Sequence, residues 1–381
     1  MQDKPRRARL VIFRDSLADG GADRVTVTLL KYLDLSRFDP TLVLLRRDGV
    51  LLEDVPPYIP IHQLNARRLR SAWFCLARYL RRKQPDILLS TCSGANVIAS
   101  WAHMLSGLRG RLVLSERSYF SAARKRLPWW FPIATLKALL YRRADAVIAV
   151  SKGVAGDLIT TLRLSPGAVR VVYNPIDEVI EGLANQEIRH PWLSDGRPVV
   201  LAVGRLVEAK DYPVLLQAIA RLRKVRALRL MILGDGPLRD DLLRLRNRLG
   251  LEQDVVLPGY VRNPFAYMSK CDVFVLSSQY EGLPNVLLEA MTCGAAVVST
   301  DCPSGPSEII VPGENGLLVP VGDVRRMAEA IELLLANPEL RRRMGRRARR
   351  TAGKFRPDTI VKTYEEVLLG ARVVQRPQIP A

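Results

Sequence analysis

The sequence predicts an α/β protein with two domains, each built on a doubly wound parallel sheet. Three observations lead to this fold class. Short apolar segments with β-branched residues alternate with longer amphipathic segments, which is typical of parallel strands connected by helices. The alternation stops once, at residues 173–197, and then starts again. The length of 381 residues is enough for two domains, each with its own core.

The interruption at residues 173–197 sets the predicted domain boundaries. Asn174-Pro175 breaks the pattern, and a mixed polar stretch with Pro191 and Gly196 follows. We therefore predict a Rossmann-like domain at 1–176, a linker at 177–197 and a second Rossmann-like domain at 198–356. A last helix and a loose tail are expected at 357–381.

The first half contains short β-branched segments, each followed by a helical one. We predict strands at 9–13, 41–45, 86–90, 111–115, 146–150 and 169–172. The segments between them predict helices at 22–33, 71–83, 96–104, 131–143 and 153–162.

The second half repeats the pattern. Strands are predicted at 198–203, 229–233, 255–257, 271–278, 296–299 and 316–319. Helices are predicted at 212–225, 238–249, 264–270, 285–291, 324–336, 338–352 and 357–370. In the helix at 212–225 one face is apolar, which indicates the side that packs on the sheet.

Composition excludes several classes of protein. The five cysteines and three histidines are scattered without a C-x-x-C pair, so neither a disulfide framework nor a zinc site is expected. The start of the chain is charged, and the uncharged span at 87–108 contains too many polar residues for a membrane helix. We expect a cytoplasmic protein that is soluble or attached only to a membrane surface.

The formal charge of +20 is unevenly distributed. Residues 1–176 contain 29 Lys+Arg and 13 Asp+Glu, whereas residues 177–381 contain 29 and 25. The first half therefore carries +16, and this basic N-terminal domain is expected to dock on an anionic membrane surface. Two segments combine this charge with aromatic residues, namely 67–83 and 117–143. Trp73 and Phe74 in the first have a plain alternative, which is burial in the core.

Two carboxylates stand out at 281–289. Glu281 follows a predicted buried strand, and Glu289 lies on the helix after Pro284. In open α/β sheets ligands bind at the carboxyl ends of the strands, and a loop running into a helix start offers backbone N–H groups to an anion. The alternative for each carboxylate alone is an ordinary solvated charge.

Two cations follow the first strand of the second half. Gly204-Arg205 ends that strand, and Lys210 comes five residues later. Arginine binds a diphosphate through a bidentate fork and lysine binds it as a point charge. The alternative is two solvated surface cations, which is the usual situation in a chain with 58 Lys and Arg.

Glycines mark three other strand ends. Gly20-Gly21 lies between the first strand and the first helix, Gly234-Asp235-Gly236 follows the strand at 229–233, and Gly259-Tyr260 follows the strand at 255–257. Glycine lets the backbone approach a ligand closely, and a plain tight turn is the alternative. The spacing differs from the G-x-G-x-x-G of a dinucleotide site.

Together these motifs resemble family four of the retaining nucleotide-sugar glycosyltransferases with the GT-B fold, whose E-x7-E motif corresponds to Glu281–Glu289. The resemblance covers nearly the whole chain. It implies two Rossmann-like domains facing each other across a cleft, with the acceptor on the first domain and the donor on the second. It also implies that the last helix returns to the first domain, that a UDP-sugar is the donor, and that no metal or other cofactor is required.

The resemblance assigns roles to individual residues. Glu281 would hold hydroxyls of the donor sugar, Glu289 would accept hydrogen bonds from the ribose, and Arg205 and Lys210 would bind the diphosphate. Catalysis is thereby assigned to Glu281, Arg205 and Lys210. The implied donor-binding set is Gly20, Gly21, Gly204, Arg205, Lys210, Gly259, Tyr260, Glu281, Gly282, Leu283, Pro284, Asn285, Val286, Leu287 and Glu289.

One departure from the family pattern concerns the first domain. Many members have a histidine after the strand that corresponds to 111–115, where this chain has Ser115-Glu116-Arg117-Ser118. Glu116 and Arg117 are therefore candidates for the acceptor side, and the alternative for Glu116 is an ordinary paired charge. The segment 301–308 looks like that of members that extend lipid-linked glycans, with a Pro/Gly-rich loop as its alternative.

The expected function is transfer of a sugar, one of GalNAc, GlcNAc, Gal or Glc, from a nucleotide donor to a lipid-linked glycan. The acceptor would be a polyprenyl diphosphate or similar lipid used in cell-envelope polysaccharide synthesis, which places the enzyme at the inner face of the cytoplasmic membrane. A soluble GT-B enzyme acting on a free sugar or metabolite is the alternative. A basic nucleic-acid-binding protein is a remote one, because no nucleic-acid-binding motif accompanies the charge.

Overall fold

The structure is a computed structural model that describes residues 6–18, 20–64, 66, 71–124 and 133–370. The chain folds into two compact units. Unit 1 combines the chain up to Pro175 with the chain from Pro357 onward, and unit 2 comprises Ile176–Arg356. Among the described residues, no helix is both long enough and apolar enough to cross a membrane.

Unit 1 is built on a parallel sheet of seven strands in the order β3-β2-β1-β4-β5-β6-β7. The order reverses between β1 and β4, which pair in register from Leu10 and Ile87 onward. The strands are β1 (Ala8–Arg14), β2 (Phe38–Leu44), β3 (Ile61–Gln63), β4 (Ile87–Ser90), β5 (Arg111–Glu116), β6 (Ala146–Ala149) and β7 (Val169–Val171).

The helices of unit 1 connect these strands, and the final helix of the chain joins them. They are α1 (Gly21–Tyr32), α2 (Ala72–Lys83), α3 (Ser93–Ser106), α4 (Phe120–Arg124), α5 (Ile133–Tyr141), α6 (Lys152–Thr161) and α15 (Pro357–Leu369). Helix α15 places Ile360, Tyr364 and Leu368 in the same buried core as Leu10 and Ile12 of β1. Glu365 accepts a hydrogen bond from the Asp34 amide at 2.8 Å and pairs with Arg37 at 2.9 Å.

Unit 2 has a parallel sheet of six strands in the order β10-β9-β8-β11-β12-β13, and its order reverses between β8 and β11. The strands are β8 (Val199–Val203), β9 (Arg229–Leu233), β10 (Val255–Gly259), β11 (Val273–Leu276), β12 (Ala296–Thr300) and β13 (Leu317–Val319).

Helix α7 precedes the strands of unit 2, the other helices follow them, and two long helices close the unit. They are α7 (Val179–Ala184), α8 (Tyr212–Leu222), α9 (Arg239–Arg248), α10 (Phe265–Met268), α11 (Asn285–Thr292), α12 (Pro306–Ile309), α13 (Val324–Ala336) and α14 (Pro338–Ala352). The predicted apolar face of α8 is buried together with β8, β9 and α13 in one core.

Residues 177–197, predicted as a linker, belong to unit 2 instead. Helix α7 lies in this stretch and buries Ile180 and Ala184. Asn263 donates to the Leu183 carbonyl at 2.9 Å, and Ser269 donates to the Ala184 carbonyl at 2.8 Å. Helix α7 has only six residues, which is too short to show a periodic pattern within this polar stretch.

Candidate active site

The residues predicted for the site in unit 2 meet where the strand order reverses. Gly204 and Arg205 leave β8, and residues 277–281 leave the neighbouring strand β11. Because both strands are parallel, these two loops emerge at the same carboxyl edge. The fold thus brings the 204–210 segment to the E-x7-E motif, although the two are some seventy positions apart in sequence.

An ion pair joins the two loops. Lys210 Nζ lies 2.6 Å from Glu281 Oε1, and the two side chains are 18% and 14% exposed. The Ser278 hydroxyl donates to the same carboxylate oxygen at 2.7 Å. The Ser277 hydroxyl donates to the Lys210 carbonyl at 2.7 Å, which fixes the backbone that carries the lysine. The sequence predicted roles for Lys210 and Glu281 separately and did not predict their contact.

Two groups near this pair are held in their protonated forms. Burial, with a further contribution from Glu281, raises the pKa of the Tyr212 hydroxyl well above its usual value. Burial and then Glu281 raise the pKa of the Cys302 thiol to about 12. Because the thiolate is the reactive form of cysteine, Cys302 is unsuited to act as a nucleophile at neutral pH.

Arg205 is the exposed cation of the site. Its side chain makes no ion pair or hydrogen bond with any residue that the structure describes. Its backbone carbonyl accepts a hydrogen bond from Val207 at 2.9 Å, so the loop is ordered while the guanidinium faces solvent. An unpaired arginine at a strand's carboxyl end is available to an anion.

Glycines allow three strand ends to lie against one another. The Gly204 amide donates to the Leu233 carbonyl at 2.9 Å, and the Gly234 amide donates to the Gly259 carbonyl at 2.8 Å. Gly234 has a φ of 133°, and a Cβ there would lie 2.1 Å from the Gly204 carbonyl oxygen. The Gly234-Asp235-Gly236 motif therefore serves close backbone packing between strand ends.

The loop between the two glutamates packs on the 301–308 segment. The Ser304 hydroxyl donates to the Gly282 carbonyl at 2.8 Å. A Cβ on Gly305, whose φ is 96°, would lie 2.5 Å from Pro284 Cδ. The segment thus supports the 281–285 loop, a role that sequence reasoning did not assign to it.

Helix α11 starts at Asn285 and carries Glu289 one turn further on. Asn285 and Glu289 are 8% and 7% exposed, and Leu287 is fully buried. The two glutamates of the motif therefore lie in different environments, with Glu281 half-buried in a loop and Glu289 buried on a helix.

Sequence reasoning missed Arg239 beside Gly259 and Tyr260. One terminal nitrogen of Arg239 donates to the Leu257 carbonyl at 2.8 Å. The other, Nη1, is buried and has no hydrogen-bond partner within the described residues. A Cβ on Gly259 would lie 3.7 Å from that nitrogen, and Tyr260 is 40% exposed. The available signal was the position of Arg239 directly after the Gly236-Pro237-Leu238 turn.

The carboxyl edge of unit 1 is filled by its own side chains. The Gly20 amide donates to Asp23 at 3.1 Å, and Asp23 pairs with the buried Arg14. Arg14 also donates to the hydroxyls of Thr26 and Thr91 at 3.2 and 3.1 Å. Gly20 and Gly21 therefore enter α1 through a tightly bonded turn.

Glu116 is completely buried, and its carboxylate is fully engaged. Lys137, itself 2% exposed, pairs with it, and the hydroxyls of Tyr141 and Ser118 donate to it at 2.8 and 2.9 Å. Burial alone would raise the pKa of Glu116, but Lys137 and then Tyr141 and Ser118 hold it below its usual value. This geometry is the paired-charge alternative for Glu116.

Arg117 is half-buried and makes three contacts within unit 1. It donates to the Thr91 carbonyl at 3.1 Å, to the Asn174 side-chain oxygen at 2.9 Å and to the Tyr364 hydroxyl at 3.4 Å. These bonds connect β5 to β4, to the end of β7 and to α15. Lys137 was not predicted, although it is the one charged residue within α5.

Comparisons with known proteins agree with this architecture. The model of the glycosyl transferases group 1 family matches residues 184–351, and the model of Glycosyltransferase Family 4 matches residues 19–179. The chain belongs to glycosyltransferase family 4. The GT-B fold expected from the sequence is confirmed for this family 4 glycosyltransferase.

Three similar proteins illustrate its relationships. An N-acetylgalactosamine-N,N'-diacetylbacillosaminyl-diphospho-undecaprenol 4-alpha-N-acetylgalactosaminyltransferase of Campylobacter jejuni is 34% identical over 95% of this chain and 100% of its own length. The lipopolysaccharide core biosynthesis glycosyltransferase LpsE of Rhizobium meliloti is 29% identical over 92% and 96%. The crystal structure of Anabaena Alr3699/HepE in complex with UDP and glucose superimposes with a TM-score of 0.81, at 22% identity and over 96% and 100%.

Proposed function

We propose that this glycosyltransferase transfers a sugar, one of GalNAc, GlcNAc, Gal or Glc, from a UDP donor to a polyprenyl-diphosphate-linked glycan. The observation that carries the donor part is the Lys210–Glu281 pair beside the exposed Arg205, at the carboxyl edge where the strand order of unit 2 reverses. The acceptor class is supported by the 34% identity to the Campylobacter enzyme over nearly the full chain.

The donor would extend along three segments of unit 2. Arg205 and Lys210 would bind the diphosphate, and the amides of Asn285, Val286 and Leu287 at the start of α11 would add donors to it. Glu281 would accept hydrogen bonds from sugar hydroxyls, and Glu289 would accept them from the ribose. Gly259 and Tyr260 would contact the base, and the unpartnered Nη1 of Arg239 would donate to one of its carbonyl groups.

The mechanism that we propose retains the configuration of the sugar and requires no metal. As the glycosidic bond to the diphosphate breaks, negative charge grows on the leaving oxygen, and Arg205 and Lys210 stabilise it. Ligand binding would bring the Lys210 ammonium close to that charge while Glu281 turns to the sugar hydroxyls. The departing diphosphate would take the acceptor proton on the same face of the sugar, so no protein nucleophile is needed.

The acceptor would bind at the carboxyl edge of unit 1, near Gly20 and Gly21. Arg117 is the better candidate of the two predicted residues, because it is half-buried and has donors beyond its three bonds. Glu116 would act as a positioning residue, since Lys137, Tyr141 and Ser118 occupy its carboxylate.

A lipid-linked acceptor places the enzyme on the inner face of the cytoplasmic membrane. Trp73 and Phe74 of α2 are 37% and 61% exposed and meet edge to face at 5.9 Å. Their exposure supports docking of this segment on the membrane over the alternative that both rings are buried in the core. The predicted basic and aromatic residues at 67–70 and 125–132 lie outside the described residues.

The decisive experiment offers a panel of UDP- and GDP-sugars with a polyprenyl-diphosphate-linked glycan, and identifies the product by mass spectrometry. We expect one UDP-sugar to extend the lipid-linked acceptor by one residue, in EDTA as well as in magnesium. Extension of a free sugar but not of the lipid-linked glycan would contradict the proposed acceptor. Activity that EDTA abolishes and magnesium or manganese restores would contradict the role of Arg205 and Lys210.

A further inference from the structure

Helix α14 is the most basic element of unit 2. Its 15 residues include seven arginines and one glutamate. Met344, Gly345, Ala348 and Ala352 form its buried face. A Cβ on Gly345 would lie 2.3 Å from the Gly294 carbonyl oxygen, so the helix lies directly on the turn that ends α11.

Five arginines occupy the opposite face of this helix. At 3.6 residues per turn they fall within an arc of roughly 140°, and they span about 12 Å along the axis. All five are exposed, and none has an ion pair or a side-chain hydrogen bond within the described part of the chain. We call this row the arginine face, which consists of Arg342, Arg343, Arg346, Arg347 and Arg350.

A solvated helix face normally mixes charges of both signs, as the preceding helix does. On α13, Arg325 and Arg326 both lie near Glu329, at 2.7 and 3.5 Å. The two remaining arginines of α14 are also paired, Arg341 with Asp272 at 2.8 Å and Arg349 with Glu181 at 3.3 Å. Like charges at i,i+4 repel one another, so the arginine face by itself opposes helix formation.

A cavity adjoins one edge of the arginine face. Arg346 and Arg350 line a cavity of about 530 Å³ together with Arg349 and Arg356. Glu178 and Glu181 neutralise Arg356 and Arg349 there, at 3.5 and 3.3 Å. The arginine face therefore keeps its excess charge on the outer surface of unit 2.

We propose that the arginine face docks on an anionic lipid bilayer. Lysine and arginine are both attracted by charge to an anionic bilayer surface, and a row of arginines on one side of a straight helix can contact many headgroups at once. The face has no aromatic side chain on which unpaired bases could stack, and duplex DNA is the alternative that the test includes. The inference rests on the proposed function only in that a lipid-linked acceptor brings the enzyme to a membrane.

The test is co-sedimentation of the full chain with phosphatidylcholine vesicles containing increasing phosphatidylglycerol, at low salt. Changing the five arginines of the face to glutamine keeps helix propensity and removes five positive charges. Each arginine near a lipid surface contributes about fivefold in partitioning, so this variant should bind at least about a hundredfold more weakly. Changing the same five residues to lysine should alter binding by less than about threefold.

A matched control removes the same charge elsewhere in unit 2. It changes five exposed basic residues to glutamine and should lose less than about threefold in partitioning. Its positions are Arg221, Lys224, Arg244, Arg248 and Lys270.

Several results would overturn the proposal. These are equal binding of the glutamine variant and the control, wild-type protein that stays in the supernatant, and α14-dependent binding to duplex DNA without vesicle binding. UDP affinity without lipid separates this test from the proposed function, because it should be the same in all forms. Wild-type protein that binds vesicles but not UDP would contradict the proposed function and leave the docking intact. If the variant with all five arginines changed to glutamine unfolds at a lower temperature, the single variants Arg343→Gln and Arg347→Gln should each bind vesicles about fivefold more weakly. Unchanged binding of both single variants would refute the proposal.

Discussion

The carboxyl edges of the two sheets have the same topology but differ in how far solvent reaches the charged side chains there. In unit 1 the strand order reverses between β1 and β4, and in unit 2 it reverses between β8 and β11. At the first edge, Lys137 forms an ion pair with Glu116, and the two side chains are 3% and 0% exposed. At the second edge, the side chains of Lys210 and Glu281 are 18% and 14% exposed, next to an exposed Arg205.

This difference decides what each pair does. A sealed pair has no room to exchange its partner for a ligand, and removing one member leaves a buried charge. A pair that solvent reaches can open, so its lysine and carboxylate can each turn to part of a substrate. We therefore expect a structural pair in one unit and, under the proposed function, a ligand-responsive pair in the other, and the following predictions test that division.

The largest effect is expected in the sealed pair. Lys137→Met should lower the free energy of unfolding by about 3–5 kcal/mol, because it leaves the Glu116 carboxylate buried without a counter-charge. Denaturant unfolding measures this change. Lys83→Met, at an exposed position on α2, is the control and should change stability by less than about 0.5 kcal/mol. Adding Glu116→Gln to Lys137→Met should restore part of the loss, and a double variant as unstable as the single one would contradict the pairing.

The same pair predicts a pH dependence. Because the folded-state pKa of Glu116 lies below its usual value of 4.5, its contribution to stability is fully present above about pH 4.5. That contribution should be lost as the pH falls through the lowered folded-state pKa. Unfolding of the wild type and of the double variant across this range should show the extra acid sensitivity only in the wild type.

The open pair should affect turnover more than stability. Glu281→Gln should lower kcat at least about a hundredfold, or about 2.7 kcal/mol in barrier, while UDP affinity changes modestly. Steady-state kinetics and calorimetry with UDP measure the two effects, and Glu314→Gln on an exposed loop is the control. Loss of stability on the scale of the Lys137→Met variant, with normal turnover, would make the Lys210–Glu281 pair structural as well.

The second glutamate of the motif should act on the nucleotide. Glu289→Gln should weaken UDP binding by about 1–3 kcal/mol, because a charged acceptor for the ribose is lost. Isothermal calorimetry with UDP measures this change in binding free energy. Equal and small effects at Glu281 and Glu289 would argue against the motif as the donor site.

The smallest effect is expected at the exposed cation. Arg205→Ala should lower the rate about tenfold, or about 1.4 kcal/mol in barrier, because the leaving diphosphate loses a counter-charge. Arg205→Lys should recover part of the lost rate, and the control Arg248→Ala on α9 should leave the rate unchanged. A wild-type rate in Arg205→Ala would leave Lys210 as the sole candidate for this role.

Local sequence predicted the elements well and their long-range contacts poorly. The bounds of α13 and α14 follow from their amphipathic period and from Asn337-Pro338, which separates them. Strand β3 has only three residues, Ile61–Gln63, and α7 has six, so neither shows a period.

Burial is what the local pattern does not encode. The sequence placed Glu116 at the end of β5, but its engagement depends on Lys137 in α5, 21 positions later. Arg239 beside Gly259 and the support of Pro284 by Gly305 also arise from tertiary packing. The two parallel-sheet domains were predictable from the alternation of strands and helices, and the GT-B fold was predicted from the resemblance of the strand-end motifs to family four.

The place of α15 in the chain has a consequence for the newly synthesised protein. Unit 2 is complete once residue 356 has emerged from the ribosome, whereas the core of unit 1 still lacks Ile360, Val361, Tyr364, Val367 and Leu368. The unit that begins first is therefore finished last. Throughout translation of unit 2, the apolar residues of unit 1 that α15 later covers remain exposed, and chaperones bind exposed apolar surface of this kind. A stop codon before α15 would leave that surface uncovered permanently, even though nearly all of both sheets had been made.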